Sequence, residues 1–287
     1  MKTWNCVTIV GVGLIGGSVG LALRARNLAR RVIGTGSRPA TLAAALELGV
    51  VSQIEPDACA AAAQADLLVV CAPVAHIAEQ VRRLAAHCRP GTLITDAGST
   101  KAQIVRELDQ AAEAGAWSSD VRFVGSHPLA GNEKKGPGHA TAELFVGRAV
   151  VITPGRLASE DDCASISEFW KSLGARTVLM PPGDHDRALA TTSHLPHLLA
   201  SAIAGATPNE YVTLTAGGWL DTTRIAGGDP VLWRQIMLAN RDHLLESLDG
   251  FTRRLADWRA ALEASDAGKL ERLLEEAKQL RDSADPR

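Results

Sequence analysis

The sequence predicts an α/β protein with a doubly wound, mainly parallel sheet, followed by an all-helical second domain. Up to residue 181, short apolar runs of strand length alternate with helical patterns. Such alternation is typical of a parallel sheet that helices cover on both faces. After Pro181-Pro182-Gly183 no convincing strand pattern remains, and helical periodicity takes over. We therefore expect a first domain over residues 1–181 and a second over 182–287.

Each element of these domains has a local signal. Strands are predicted where β-branched or apolar residues run together, at 7–10, 31–34, 67–71, 93–96, 123–125, 149–152 and 177–180. A first helix runs through Val19 and Leu23, and later helices are predicted at 39–48, 77–87, 101–114 and, with Ser159 as N-cap, up to Gly174. Helical segments of the second domain are predicted at about 184–205, 208–226, 230–262 and 266–282.

A glycine-rich turn joins the first strand to the first helix. Gly11 permits a tight turn, Gly13 admits a phosphate close to the backbone, and Gly16 lets the helix pack on the strand. Free N–H groups at the start of the helix suit the same phosphate. The context predicts a Rossmann-type dinucleotide site; the alternative is a glycine-rich turn in a protein without a nucleotide. The residues that we assign to the cofactor are Gly11, Gly13, Leu14, Ile15, Gly16 and Pro73.

The residues after the second strand indicate which dinucleotide binds. NAD-selective sites place an acidic residue about 20 residues beyond the glycines, where it binds the ribose 2′-hydroxyl. Here that count reaches Gly36, and Ser37 and Arg38 follow with no acid nearby. Ser37 can donate a hydrogen bond and Arg38 can pair with a 2′-phosphate, unless Arg38 is only an exposed loop cation. NADP is therefore favoured, and NAD use is possible.

Composition excludes several classes of partner. The formal net charge of −2 gives no reason to expect nucleic acid or an anionic membrane surface as a partner. No apolar run is long enough to span a bilayer, and the first strand follows Met1 too closely to leave room for a signal peptide. The five cysteines are scattered and lack metal-ligand spacing. A reducing cytoplasm fits best.

Polar residues follow two neighbouring strands of the predicted sheet. Residues 96–101 follow one strand and residues 125–136 follow the next. Ligands of such sheets bind beyond the carboxyl ends of the strands. His127 ends a strand at this edge, which distinguishes it from a histidine that is merely part of the core.

The chain contains a series of motifs in order. The first two are Gly98-Ser99-Thr100-Lys101 and the run from Ser126 to Glu133, which reads Ser-His-Pro-Leu-Ala-Gly-Asn-Glu. They are followed by Asp184-His185-Asp186, Ser193-His194-Leu195-Pro196-His197 and Asp221-Thr222-Thr223-Arg224-Ile225-Ala226. With the glycine turn, the series resembles the prephenate and arogenate dehydrogenases of tyrosine biosynthesis over essentially the whole chain.

The resemblance implies oxidative decarboxylation with NAD(P). Hydride leaves the ring carbon that bears the hydroxyl group, and the ring carboxylate departs as CO2, so that prephenate gives 4-hydroxyphenylpyruvate or arogenate gives tyrosine. It makes His127 the base for the hydroxyl proton, for which an ordinary histidine pKa near 6.5 is suitable. It makes Ser99 the partner of that hydroxyl group. The alternative for Ser99 is an N-cap of the following helix.

The resemblance also implies the groups that bind the substrate. Arg224 clamps the side-chain carboxylate, which does not react. Glu133 and Asp221 form an ionic network with this arginine; the alternative is that Asp221 and Arg224 are a surface pair. His194 and His197 line the pocket. A zinc site at these two histidines is the alternative, but spacing suggests no third ligand.

Two rival functions and a dimer complete the expectations. A 3-hydroxyacid dehydrogenase would use a lysine of the second domain, but residues 182–226 contain no lysine. A catalytically silent NADP-binding sensor is the other rival. The resemblance implies a homodimer built by the helical domain. The stripe of Leu270, Leu273, Leu274, Ala277 and Leu280 is then either core or subunit interface.

Overall fold

A computed structural model describes residues 3–131 and 134–284. Its sheet has eight strands, namely β1 (Trp4–Val10), β2 (Ala29–Thr35), β3 (Gln53–Ile54), β4 (Leu67–Val70), β5 (Leu93–Asp96), β6 (Arg122–Pro128), β7 (Ala149–Pro154) and β8 (Arg176–Leu179). Their order across the sheet is β3-β2-β1-β4-β5-β6-β7-β8. All neighbouring strands pair in parallel except β6 and β7, which are antiparallel. The predicted doubly wound, mainly parallel sheet is therefore confirmed.

Helices cover both faces of this sheet. They are α1 (Leu14–Ala25), α2 (Pro39–Glu47), α3 (Ala58–Ala62), α4 (Val74–Ala85), α5 (Ala102–Glu113) and α6 (Glu160–Ser172), with a 3-10 turn at Pro137–His139. Because helices lie on both faces, all four residues of β4 are buried, as its continuous apolar run predicts. Ser159 caps α6 in a capping box with Asp162, so that prediction is confirmed.

Two elements of the sheet region were missed from the sequence. The strand β3 has only two residues, and the five-residue helix α3 is too short to show periodicity. The helix predicted at 77–87 begins earlier, at Val74, directly after Pro73.

The strand order reverses between β1 and β4, and this places the ligand edge. Val10 pairs with Val70 at the ends of these two strands. The glycine turn after β1 and the loop after β4 therefore meet where the order changes from 3-2-1 to 4-5-6. In open α/β sheets this reversal opens a crevice for ligands at the carboxyl edge.

The remaining chain is helical. It contains α7 (Pro182–Leu189), a π-helical turn (Ala190–His194), α8 (Leu195–Ala206), a 3-10 segment (Asn209–Leu214), α9 (Gly217–Thr223), a 3-10 turn (Arg224–Gly227), α10 (Pro230–Ala239), α11 (Arg241–Glu263) and α12 (Ala267–Ser283). Among the described residues, no helix combines the length and the apolar character that crossing a membrane requires.

The prediction of a single helix at 230–262 is wrong, because the structure has two helices there. The chain leaves helical geometry at Asn240, where φ is −118° and ψ is 30°, so α10 and α11 are separate. The side chain of Asn240 is buried and binds neighbouring elements. The segment predicted at 208–226 is likewise divided, into α9 and flanking 3-10 turns.

Candidate active site

The glycine turn has the geometry that its three glycines predict. Gly11 has φ +91°, and a Cβ there would lie 2.5 Å from the carbonyl oxygen of Cys71, at the end of β4. A Cβ on Gly16 would lie 2.1 Å from the carbonyl oxygen of Gly11. Neither position tolerates a side chain. Around Gly13, in contrast, nothing lies within 4 Å of a Cβ position, so the turn is open on that side.

The residues present fit a dinucleotide pyrophosphate. No side chain caps the start of α1, where Leu14 and Ile15 form the first turn, so its backbone N–H groups remain available to phosphate. Pro73 is exposed and precedes α4, at the reversal of strand order. A Cβ built on Gly131 would lie 3.5 Å from Ile15 Cδ1. The loop after β6 therefore lies beside the glycine turn.

Ser37 and Arg38 follow β2 and are both exposed. Within the described ranges, the Arg38 side chain takes part in no ion pair. The end of β2 thus presents an uncommitted positive charge next to the glycine turn.

His127 lies in β6, half-buried, and belongs to a chain of hydrogen bonds that ends in the helical region. Its Nδ1 is 2.9 Å from Nε2 of His185, and His185 Nδ1 is 2.7 Å from Oδ1 of Asp186. His185 and Asp186 are buried in α7. The Asp186 carboxylate also accepts the backbone N–H groups of Lys101 and Ala102, at 2.7 and 2.9 Å. One carboxylate therefore caps α5 and holds His185.

This arrangement corrects the alternative role of Ser99. The helix α5 begins at Ala102 with Lys101 as its N-cap residue, and the backbone N–H groups of these two residues are bound by the carboxylate of Asp186 from another element. Ser99 is half-buried in the turn between β5 and α5. It makes no hydrogen bond to His127 among the residues that the structure describes.

The pKa of His127 is not the ordinary histidine value that we expected from the sequence. Burial lowers this pKa well below 6.5, and the nearby His185, Lys101 and His194 lower it further. The imidazole therefore stays neutral, and able to accept a proton, over a wider pH range than a free histidine.

A buried ion pair lies next to His127. Lys101 binds the Asp96 carboxylate, and both side chains are 0% exposed. The ammonium group also donates to the carbonyl oxygen of Ser126 at 3.0 Å. Burial lowers the pKa of Lys101, while Asp96 acts in the opposite direction. The pair fixes the end of β5 against β6, immediately before His127.

His194 and His197 both face Trp233 of α10. The His197 ring stacks on the indole, with centroids 3.5 Å apart, and the His194 ring meets it edge-on at 6.2 Å. The two histidines therefore contact the same side chain. Burial lowers the pKa of His194 to about 4, so its ring is neutral near pH 7.

Asn240 determines which nitrogen of His194 carries the proton. Its Nδ2 donates to the carbonyl oxygen of Asp186 at 2.6 Å, and a carbonyl can only accept. The same Nδ2 lies 3.1 Å from Nδ1 of His194. Nδ1 is therefore the acceptor, and the proton of the neutral ring is on Nε2.

The other predicted substrate residues are less closely linked. Arg224 and Asp221 are exposed, and no ion pair joins them in the described part of the chain. Neither the predicted ionic contact of Asp221 with Arg224 nor the alternative surface pair is therefore present among the residues that the structure describes. Glu133 lies outside the described residues. No three His, Cys, Asp or Glu side chains in the described ranges are grouped as a metal site would require.

Sequence reasoning missed several residues of this site. His185 and Asp186 were noted in a motif but given no role, and Asn240 and Trp233 were not identified. The only signal was the polar His-Asp pair within an otherwise helical pattern.

Comparison with known proteins identifies the family. A family model described as "Prephenate dehydrogenase, nucleotide-binding domain" matches residues 19–179, and one described as "Prephenate dehydrogenase, dimerization domain" matches residues 181–276. The chain belongs to the prephenate dehydrogenase family. The predicted family and enzyme class are thus confirmed, and the cofactor is a nicotinamide dinucleotide.

Members of the prephenate dehydrogenase family resemble this chain over nearly its whole length. Prephenate dehydrogenase of Bacillus subtilis (strain 168) is 33% identical over 285 residues, which cover 97% of this chain and 76% of that protein. The A. aeolicus prephenate dehydrogenase, solved in complex with hydroxyphenyl propionate and NAD+, is 28% identical with a TM-score of 0.89 and covers 98% of both chains. The Synechocystis arogenate dehydrogenase is 29% identical with a TM-score of 0.81, over 96% of this chain and 99% of that one.

Proposed function

We propose that this family member oxidatively decarboxylates prephenate to 4-hydroxyphenylpyruvate, with NADP as its preferred cofactor. The observation that carries the proposal is His127. It lies at the carboxyl edge of the sheet, its pKa is lowered, and the loop that follows it lies beside the glycine turn. A neutral histidine at that place can take a proton from a substrate next to the cofactor.

The residues of the chain then have distinct tasks. His127 accepts the proton of the ring hydroxyl group, and Ser99 holds that hydroxyl group in place. A bound nicotinamide cofactor would supply the acceptor for the hydride of the same ring carbon. As the bond to the ring carboxylate breaks, CO2 leaves and its electron pair completes the aromatic ring, which places a negative charge on the ring oxygen. That oxygen then takes the proton back from His127, which gives the hydroxyl group of the product and restores the base. The thermodynamic drive comes from aromatisation, so the protein needs mainly to orient the substrate and accept one proton.

The two carboxylates of prephenate need different partners. The departing carboxylate is served best by neutral donors, because a fixed cation would stabilise the ground state. The Nε2–H of His194 is such a donor, since its ring is neutral and its Nδ1 is occupied by Asn240. His197 lies beside it on Trp233. The side-chain carboxylate does not react, so Arg224 can clamp it, with Asp221 and Glu133 as acidic partners of the arginine.

Preference for NADP is supported by the end of β2. Gly36, Ser37 and Arg38 carry no acid that would repel a 2′-phosphate, and Arg38 is exposed without an ion pair among the described residues. Nothing there repels an unphosphorylated ribose, so NAD also remains usable. The other cofactor contacts that we propose are the backbone of Gly11, Gly13 and Gly16, with Leu14, Ile15 and Pro73.

We also propose two domains and a homodimer. The boundary between residues 181 and 182 is supported by the end of β8 at Leu179 and the start of α7 at Pro182. The second domain, 182–287, binds substrate and forms the dimer, as the description of its matching family model suggests. A cytoplasmic location is supported by five cysteines without a disulfide, since secreted proteins usually pair theirs.

Steady-state assays of the purified chain test the function. We expect the highest kcat/KM for prephenate with NADP, a lower value with NAD, and a lower value again for arogenate with either cofactor. A preference for arogenate would overturn the choice of prephenate as substrate, while the reaction would still be an oxidative decarboxylation. No turnover in any of the four combinations of substrate and cofactor would contradict the proposed enzymatic activity and favour the catalytically silent NADP-binding sensor.

Two variants separate the proposed roles. His127→Asn should lower kcat by about 10²–10⁴-fold with little change in KM, because it removes the base. Arg224→Gln should raise the KM for prephenate far more than it lowers kcat, because it removes ground-state binding. His87→Asn, at an exposed position on the sheet domain, is the control and should match the wild type. Near-normal turnover by His127→Asn, or an unchanged KM in Arg224→Gln, would remove that residue from its role.

A further inference from the structure

We propose that His185 and Asp186 are positioning residues that fix the tautomer of His127. The inference rests on the proposed function, in which His127 is the base. To act as the base, His127 must have a ring nitrogen without a proton before the substrate binds.

The chain of hydrogen bonds has a defined direction because its last member can only accept. The Asp186 carboxylate receives two backbone N–H groups at the start of α5, from Lys101 and Ala102. Its Oδ1 is also 2.7 Å from Nδ1 of His185. A carboxylate offers no proton in this set, so Nδ1 of His185 must carry one and donate it.

The direction of that first bond determines the second. In an imidazole ring with one proton, a proton on Nδ1 leaves an electron pair free on Nε2. The Nε2 of His185 lies 2.9 Å from Nδ1 of His127. Nδ1 of His127 is therefore the donor and carries the proton. The neutral His127 ring has only one proton, so its Nε2 is left bare and basic.

The same bonds hold the ring in orientation. His185 is 0% exposed and its ring meets the His127 ring edge-on, with centroids 5.1 Å apart. Asp186 is anchored by α5, and its own carbonyl oxygen binds Asn240 at the junction of α10 and α11. The pair thus connects the helical region to the strand that bears the base. A freely rotating or wrongly protonated His127 would have to reorganise in every turnover.

The first test measures the tautomer directly in the wild-type chain. The protein has eight histidines, and selective 15N labelling of histidine distinguishes protonated from bare ring nitrogens by NMR. The signals of residue 127 are assigned by their loss in His127→Asn. We expect a protonated Nδ1 and a bare Nε2 at neutral pH. A proton on Nε2 with a bare Nδ1 would overturn the proposal, whether or not the chain turns over prephenate.

The second test replaces the acceptor and then restores it. His185→Phe keeps a ring of similar size without an acceptor, and we expect kcat to fall by about 10–100-fold with KM nearly unchanged. His185→Gln returns an oxygen that can accept from Nδ1 of His127, and it should recover most of that loss. His87→Phe, an exposed histidine, is the matched control.

The outcomes separate this proposal from the proposed function. Equal kcat values for His185→Phe and His185→Gln, or a wild-type kcat in both, would overturn the positioning role while leaving His127 as the base. If the wild-type chain does not act on prephenate, the proposed function fails, and the NMR measurement alone decides the tautomer. If His185→Phe does not fold, His185→Gln and the wild-type spectrum still decide the question.

Discussion

The buried pair of Lys101 and Asp96 leads to a prediction about the stability of the site. Both side chains are 0% exposed, and Asp96 also accepts the backbone N–H groups of Gly98 and Ser126. Lys101→Met keeps an apolar stem of similar length but leaves the carboxylate buried without its cation. Removing one partner of a buried pair costs about 3–5 kcal/mol. We expect a loss of that size in the free energy of unfolding, measured by urea denaturation.

The control is a lysine outside any such network. Lys171 lies exposed in the last turn of α6, and Lys171→Met should change the free energy of unfolding by no more than about 0.5 kcal/mol. In the double variant Asp96→Asn/Lys101→Met neither position of the pair carries a charge, so part of the loss should be recovered. If Lys101→Met is as stable as the wild type, the buried charge of Asp96 does not depend on the Lys101 ammonium group for its stabilisation.

Single residues of the site could be predicted where a local sequence pattern indicates their position. His127 was identified because it follows a strand at the ligand edge, and the glycines because their spacing is mechanical. His185 and Asp186 were not, because their roles depend on α7 packing on the start of α5, far away in sequence. The lowered pKa of His127 was missed for the same reason, since burial and three neighbours from other elements cause it.

At the scale of secondary-structure elements, the turn that follows β2 leads to a prediction about whether NADP or NAD is preferred. Arg38 is exposed at the end of this turn, before α2. A charge-assisted hydrogen bond to a 2′-phosphate contributes about 1.5–3 kcal/mol. Arg38→Ala should therefore lower kcat/KM for NADP by roughly 10–100-fold. The value for NAD, which has no 2′-phosphate, should barely change.

Arg30→Ala provides the matched control for this prediction. Arg30 is also exposed, but it lies near the amino end of β2, away from the ligand edge. Its loss should leave the ratio of NADP to NAD efficiency as in the wild type. If Arg38→Ala also leaves that ratio unchanged, Arg38 is only an exposed loop cation.

Elements were predictable in proportion to their length and periodicity. The strands at the ligand edge were found because a parallel strand covered on both faces is a continuous apolar run. The break between α10 and α11 was not found, because the apolar spacing continues across Asn240. Only the tertiary partners of that amide explain why the helix stops there.

At the scale of the whole molecule, the helical region has several large apolar side chains that the single chain leaves exposed. In the stripe of α12, Leu273 is buried and Leu270 half-buried, whereas Leu274 and Leu280 are 60% and 75% exposed. The core interpretation therefore accounts for only part of the stripe. Leu262 at the end of α11 is exposed as well. Exposed apolar surface of this kind is typical of a subunit interface, which supports the proposed homodimer.

The dimer can be tested by placing charge on that stripe. In solution the wild-type chain should sediment with twice the mass of one chain. Leu274→Glu/Leu280→Glu should shift it toward the monomer, because two carboxylates per subunit would be buried without partners. Leu48→Glu, on a leucine that is 52% exposed just after α2, should leave the mass unchanged. A wild-type chain that sediments as a monomer at micromolar concentration would exclude the dimer, and a dimeric double variant would place its interface elsewhere on the helical domain.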